Sequence, residues 1–98
     1  MSDESQIYLP ESFVALFQTA GRLQPGVTRA YIAQRCEWCE DMAQLLVDPA
    51  REHMARLGIT EEDVVHSLRP GLSDPATQLS EPEAHWVAIR LRELLQGH

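Results

Sequence analysis

Apolar side chains recur at helical spacing along most of this chain, and no stretch keeps the alternation that marks a half-buried strand. A first helix is expected to open at Pro10, a favoured first-turn residue, with Glu11 set against the positive end of the helix dipole. Phe13, Leu16, Phe17 and Ala20 continue at helical spacing, and Gly21 supplies a stop. Pro25-Gly26 signals a turn, and Thr28 is a good N-cap for a second helix.

The second helix carries the most information. With Cys36 at the origin and about 100° per residue, Trp38, Tyr31, Met42, Cys39, Leu46, Ile32, Ala43, Cys36 and Val47 share an arc about 180–200° wide. Gln34, Glu37, Glu40, Asp41, Gln44 and Asp48 fill the remaining wedge. A surface helix usually buries a stripe only a little over about 100° wide. This helix is therefore expected to be central in the fold, or half-buried in the fold and half in a partner. Asp48-Pro49 has the form of a helix start. Yet the register Ile32, Cys36, Cys39, Ala43, Leu46, Ala50, His53, Leu57 runs through the proline, which favours one long helix kinked at Pro49 and ended by Gly58.

Thr60-Glu61-Glu62-Asp63 resembles a capping box with Asp in the last place. It predicts a short helix bearing Val64, Val65 and Leu68 and ending before Pro70-Gly71. Residues 71–79 read as a loop whose ends, Leu72 and Leu79, tuck onto the core. Ser80 with Glu83 three residues on is a clean capping box. Beyond it Ala84, Val87, Ala88, Leu91, Leu94 and Leu95 form one apolar stripe, closed by Gly97. The pattern predicts an all-α fold. It is expected to be a single compact bundle of about four to five helices over residues 8–98, preceded by a mobile tail over residues 1–7.

Composition narrows the function classes. The 98 residues suit one domain, and a hydrophobic fraction of 44 % argues against wholesale disorder. The net charge is −7, and all eight basic residues are Arg. Without Lys there is no phosphate loop and no Schiff-base catalysis. The acidity opposes nucleic acid as a partner, because phosphate contacts need clustered Lys and Arg. The charge is uneven: Arg22, Arg29 and Arg35 gather without an acid between positions 21 and 35, and the acidic wedge up to Asp48 comes directly after them. No apolar run approaches the roughly 20 residues of a membrane helix, and the acidic start is the opposite of a secretory signal. A cytoplasmic location with no membrane partner is expected.

Candidate chemistry is sparse. Cys36 and Cys39 form a Cys-x-x-Cys around Trp38, the spacing of a redox pair or half a metal site. The bland alternative is that both sulfurs pack in the core, since both fall on the apolar arc. His53 and His66 lack the spacing to complete a zinc site, and His53 reads as a core histidine. The acidic wedge is either a solvated face or a surface for a basic partner. No Gly-x-Ser-x-Gly or His-Glu-x-x-His motif occurs, so no catalytic residue, metal or cofactor is expected. Trp86 lies about 160–200° from the apolar stripe of its helix, beside Ile89, Arg90, Glu83 and Glu93. It is either covered by the 71–79 loop or the N-terminal arm, or it anchors an interface with Ile89 and Arg90.

Four segments carry a family resemblance: Tyr8-Leu9-Pro10-Glu11-Ser12-Phe13, Arg35-Cys36-Glu37-Trp38-Cys39-Glu40-Asp41-Met42-Ala43, Leu57-Gly58-Ile59-Thr60-Glu61-Glu62-Asp63-Val64 and Ser80-Glu81-Pro82-Glu83-Ala84-His85-Trp86-Val87. In these the chain resembles short proteobacterial proteins of uncharacterised function, often labelled "ATPase with chaperone activity". The label implies nucleotide hydrolysis, from which this sequence departs in having no phosphate loop and no Lys. The leading expectation from the residues is a helical interaction module that binds a protein or a second copy of itself. The alternative is a metal- or redox-responsive regulator working through Cys36 and Cys39.

Overall fold

Local signals set most element boundaries. The computed structural model describes residues 8–97, so the tail expected over 1–7 lies outside the described residues, as does His98. Among the described residues the chain is mostly helical, with four α-helices, two 3-10 turns and one two-stranded hairpin. It sorts into two compact units, one reaching to Trp38 and one from Cys39 onward.

In the first unit, α1 (Glu11–Val14) starts after Pro10 and passes into a 3-10 turn at Ala15–Phe17. Here the chain departs from expectation. The helix foreseen up to Ala20 is replaced by a hairpin of β1 (Gln18–Thr19) and β2 (Arg22–Leu23), paired Gln18 to Leu23 and Thr19 to Arg22. Ala20 and Gly21 connect the strands with φ of 56° and 80°, the left-handed pair that a two-residue type I′ turn demands. The expectation of a wholly α chain is corrected accordingly. The spacing of Phe13, Leu16 and Phe17 suits one α turn followed by a 3-10 turn as well as a longer helix. The rings then cluster: Phe13 meets Phe17 at 5.5 Å between centroids, and Phe17 meets Tyr31 edge-on at 5.9 Å. Pro25-Gly26 makes the expected turn, closed by the Val27 amide donating to Gln24 O at 3.1 Å.

Helix α2 (Arg29–Leu57) opens on Thr28, whose Oγ1 accepts from the Tyr31 N–H at 3.0 Å. It runs without interruption through Pro49. The proline has no amide hydrogen, so the Leu45 carbonyl lacks its helical donor. Leu45 and Pro49 are both exposed, which leaves that carbonyl open to water. Gly58, with φ of 66°, ends the helix as its amide bonds Met54 O at 2.7 Å. The buried residues of α2 form a narrow seam of Ile32, Cys39, Ala43 and Ala50. Tyr31 and Trp38 are exposed, so the wide apolar arc is not buried across its width.

The second unit contains α3 (Glu61–Leu72) and α4 (Glu81–Gln96), which pack against each other. Thr60 Oγ1 caps α3 by accepting from the Asp63 N–H at 3.1 Å. The helix, expected to end before Pro70, instead continues to Leu72. Burial of Leu72, worth about 2 kcal/mol, offsets much of the bond lost at the proline. A 3-10 turn at Pro75–Thr77 comes next, with Asp74 Oδ1 accepting from the Ala76 N–H at 2.8 Å. The capping box of α4 is present: Ser80 Oγ accepts from the Glu83 N–H at 3.2 Å, and Glu83 Oε1 accepts from the Ser80 N–H at 2.9 Å. The broad buried face belongs to α4 rather than α2. Glu83, Ala84, Trp86, Val87, Ala88, Leu91 and Leu95 are all buried on this helix.

Candidate interaction surface

Trp86, Ile89 and Arg90, the expected partner patch on α4, occupy three different environments. Trp86 is only 8 % exposed, so it is covered and does not project as an interface anchor. Burying Trp86 and Glu83 widens the inner face of α4 well beyond its aliphatic stripe. Arg90 is engaged: its Nε donates to Glu40 Oε1 at 2.8 Å and its Nη2 to Oε2 at 3.0 Å, with Nη1 reaching Glu93 Oε1 at 3.5 Å. This bidentate fork ties α2 to α4 within the second unit. The Arg90 hydrogen bonds hold the Glu40 carboxyl below its ordinary range, against a smaller desolvation effect. Only Ile89 opens to solvent, at 47 % exposure.

Ile89 lies in a groove of about 250 Å³. Helix α3 lines it with Glu62, Val65, His66 and Arg69, and α4 with His85, Ala88, Ile89 and Arg92. Each set has the spacing i, i+3, i+4, i+7 that places side chains along one helix face. The groove is therefore the open seam between two adjacent outer stripes. Its apolar floor is Val65, Ala88 and Ile89, and its polar rim holds one acid, Glu62, beside His66, Arg69, His85 and Arg92. One of those cations is already held: Arg69 Nη2 donates to Glu81 Oε2 at 2.8 Å, and its Nη1 donates to Ser73 Oγ at 2.7 Å. Ser73 Oγ in turn donates to Glu81 Oε1 at 3.0 Å. These bonds, the one from Arg69 first, lower the pKa of the exposed Glu81 carboxyl. Among the described residues Arg92 has no ion-pair partner. The sequence singles out Ile89 but not the groove, although positions 85, 88, 89 and 92 are visible in it as a stripe.

Neither cysteine is in a disulfide; Cys39 is fully buried and Cys36 half-buried. Among the described residues no group of three His, Cys, Asp or Glu side chains is arranged to hold a metal ion. His53 is half-buried, and its Nδ1 accepts from Arg56 Nη2 at 2.9 Å. Among the same residues no helix is long and apolar enough to cross a membrane. No family model, curated protein or solved structure matches the chain.

Proposed function

We propose that this chain is a small protein-interaction module acting in the cytoplasm, with a protein or a second copy of itself as partner. The observation that carries the reading is Ile89, a β-branched side chain left 47 % exposed on the floor of the α3–α4 groove. An apolar floor within a polar rim is the anatomy of a docking surface. Two cysteines outside any disulfide suit a reducing compartment. A photo-crosslinking amino acid placed at position 89 in the native cell tests the reading, with the exposed position 51 as control. A discrete adduct at 89 and none at 51 is expected. No adduct at 89, or equal adducts at both positions, would refute it.

A further inference from the structure

We propose that the face of α2 between Asp41 and Glu52 docks a cationic amphipathic helix of another protein; this gives the interaction reading above a partner chemistry, on a surface other than the α3–α4 groove. Leu45 stands at the centre of that face. It is 72 % exposed, more than the other exposed large apolar residues of the second unit, Leu57 and Ile89. Asp41, Leu45, Asp48 and Glu52 succeed one another at intervals of three and four residues, which places them within an arc of about 60° along α2. All three carboxylates are exposed, as is Pro49 one turn beyond Leu45. Among the described residues none of the three is held in an ion pair. An open hollow of about 390 Å³ adjoins the face, lined by Asp41, Gln44 and Leu45.

The charge and its spacing name the occupant. Arg51 lies about 90° from the centre of the arc, and Arg56, one turn beyond Glu52, donates to His53 instead. The stretch of arc from Asp41 to Glu52 therefore holds three carboxylates and no cation. Asp41 and Glu52 are separated by about 16 Å along the axis, at about 1.5 Å per residue, so the carboxylates do not converge on one metal ion. They suit a longer ligand that carries several cations. Two copies of the face repel each other, which excludes self-pairing through it. A helix with Lys or Arg beside an apolar stripe meets both demands: its apolar side chains pack on Leu45 and Pro49, and its cations reach the flanking carboxylates. About three turns of helix fall well short of a standard interface of roughly 1,600 Å², so the contact is weak and transient.

The test is a titration of the full chain into a labelled synthetic helix of about 18 residues, leucine on one face and lysine on the other, at about 0.15 M ionic strength, where charges beyond about 8 Å are screened. Saturable binding is expected, with none to the counterpart that carries Glu in place of Lys. Asp41→Asn with Asp48→Asn is expected to weaken binding at least about tenfold. Glu11→Gln with Glu62→Gln removes the same charge at exposed positions elsewhere and is expected to change binding less than about twofold. Leu45→Ala is expected to weaken it about fivefold, the effect of leaving an apolar contact unmade. Circular dichroism of each variant reports that the helices are retained. No binding of the lysine peptide, equal weakening by the two charge-matched pairs, or indifference to Leu45→Ala would overturn the proposal. If the peptide fails to bind while a crosslinker at position 89 gives its adduct, this proposal falls and the interaction reading stands. If the peptide binds as expected and position 89 gives no adduct, the groove reading falls and the α2 face stands. If neither occurs, both fall.

Discussion

The Glu40–Arg90 pair offers the sharpest test of how the second unit is held together. Its two hydrogen bonds are short, and both side chains are about one-third exposed, at 31 % and 33 %. Fully exposed pairs couple by about 0.2–1 kcal/mol, whereas removing one partner of a deeply buried pair costs several. The partial exposure and bidentate geometry put this pair near the top of the surface range, with a coupling of about 1 kcal/mol. For a chain of this size that corresponds to about 4–8 °C in Tm. The measurement is a double-mutant cycle on urea unfolding, using Glu40→Gln, Arg90→Met and the double variant. The pH dependence has a definite sign. Arg90 lowers the carboxyl pKa in the folded state from the ordinary 4.5. The pair's contribution is therefore whole above about that value and fades as pH falls through the lowered native one. The coupling should persist at pH 7 and weaken progressively as the pH falls below the ordinary 4.5. A coupling below about 0.2 kcal/mol at neutral pH, or one that grows as the pH falls, would refute the assignment.

Two further predictions concern the backbone. Ala20 has φ of 56° in the hairpin turn, where a Cβ costs about 1–2 kcal/mol. Ala20→Gly recovers that strain, less about 0.4–1 kcal/mol of added unfolded-state entropy, for a net gain of about 0.5–1 kcal/mol in thermal or urea unfolding; a loss would show that the turn is not left-handed at this position. Pro49→Ala restores the amide that the Leu45 carbonyl lacks and removes the ring clash, with an expected gain of about 2 kcal/mol in the same assays. A loss would mean that the surrounding structure depends on the helix geometry that Pro49 imposes.

Element starts and stops were legible wherever a side chain bonds the adjacent backbone. Thr28, Thr60 and Ser80 with Glu83 all form the caps their spacing announces, and Gly58 ends α2 where the register stops. Continuity of α2 through Pro49 was legible too, because an apolar register that keeps its phase outweighs one missing bond. The hairpin was not. Ala20-Gly21 lacks the Asn or Asp that usually marks a type I′ turn, and the strands are too short to show alternation. The end of α3 was missed for a related reason: local rules stop a helix near Pro70, whereas burial of Leu72 comes from tertiary packing.

The α3–α4 groove marks where single-helix reasoning runs out. The residues on α4 that face it, His85, Ala88, Ile89 and Arg92, form a stripe that a helical projection shows at once. Taken alone, that stripe is half polar and reads as a solvated face. Its meaning changes when α3 brings Val65 and His66 alongside, because Ile89 and Ala88 then share an apolar floor rather than standing as isolated surface residues. The charge pattern sharpens in the same way. The net charge of −7 describes the chain at long range. At the groove rim it gives way to local balance, with Arg69 held by Glu81 and the lining completed by one acid, Glu62, and one further cation, Arg92. The acidity that opposes nucleic acid is therefore a property of the whole chain, and the groove is set apart by its apolar floor rather than by its charge.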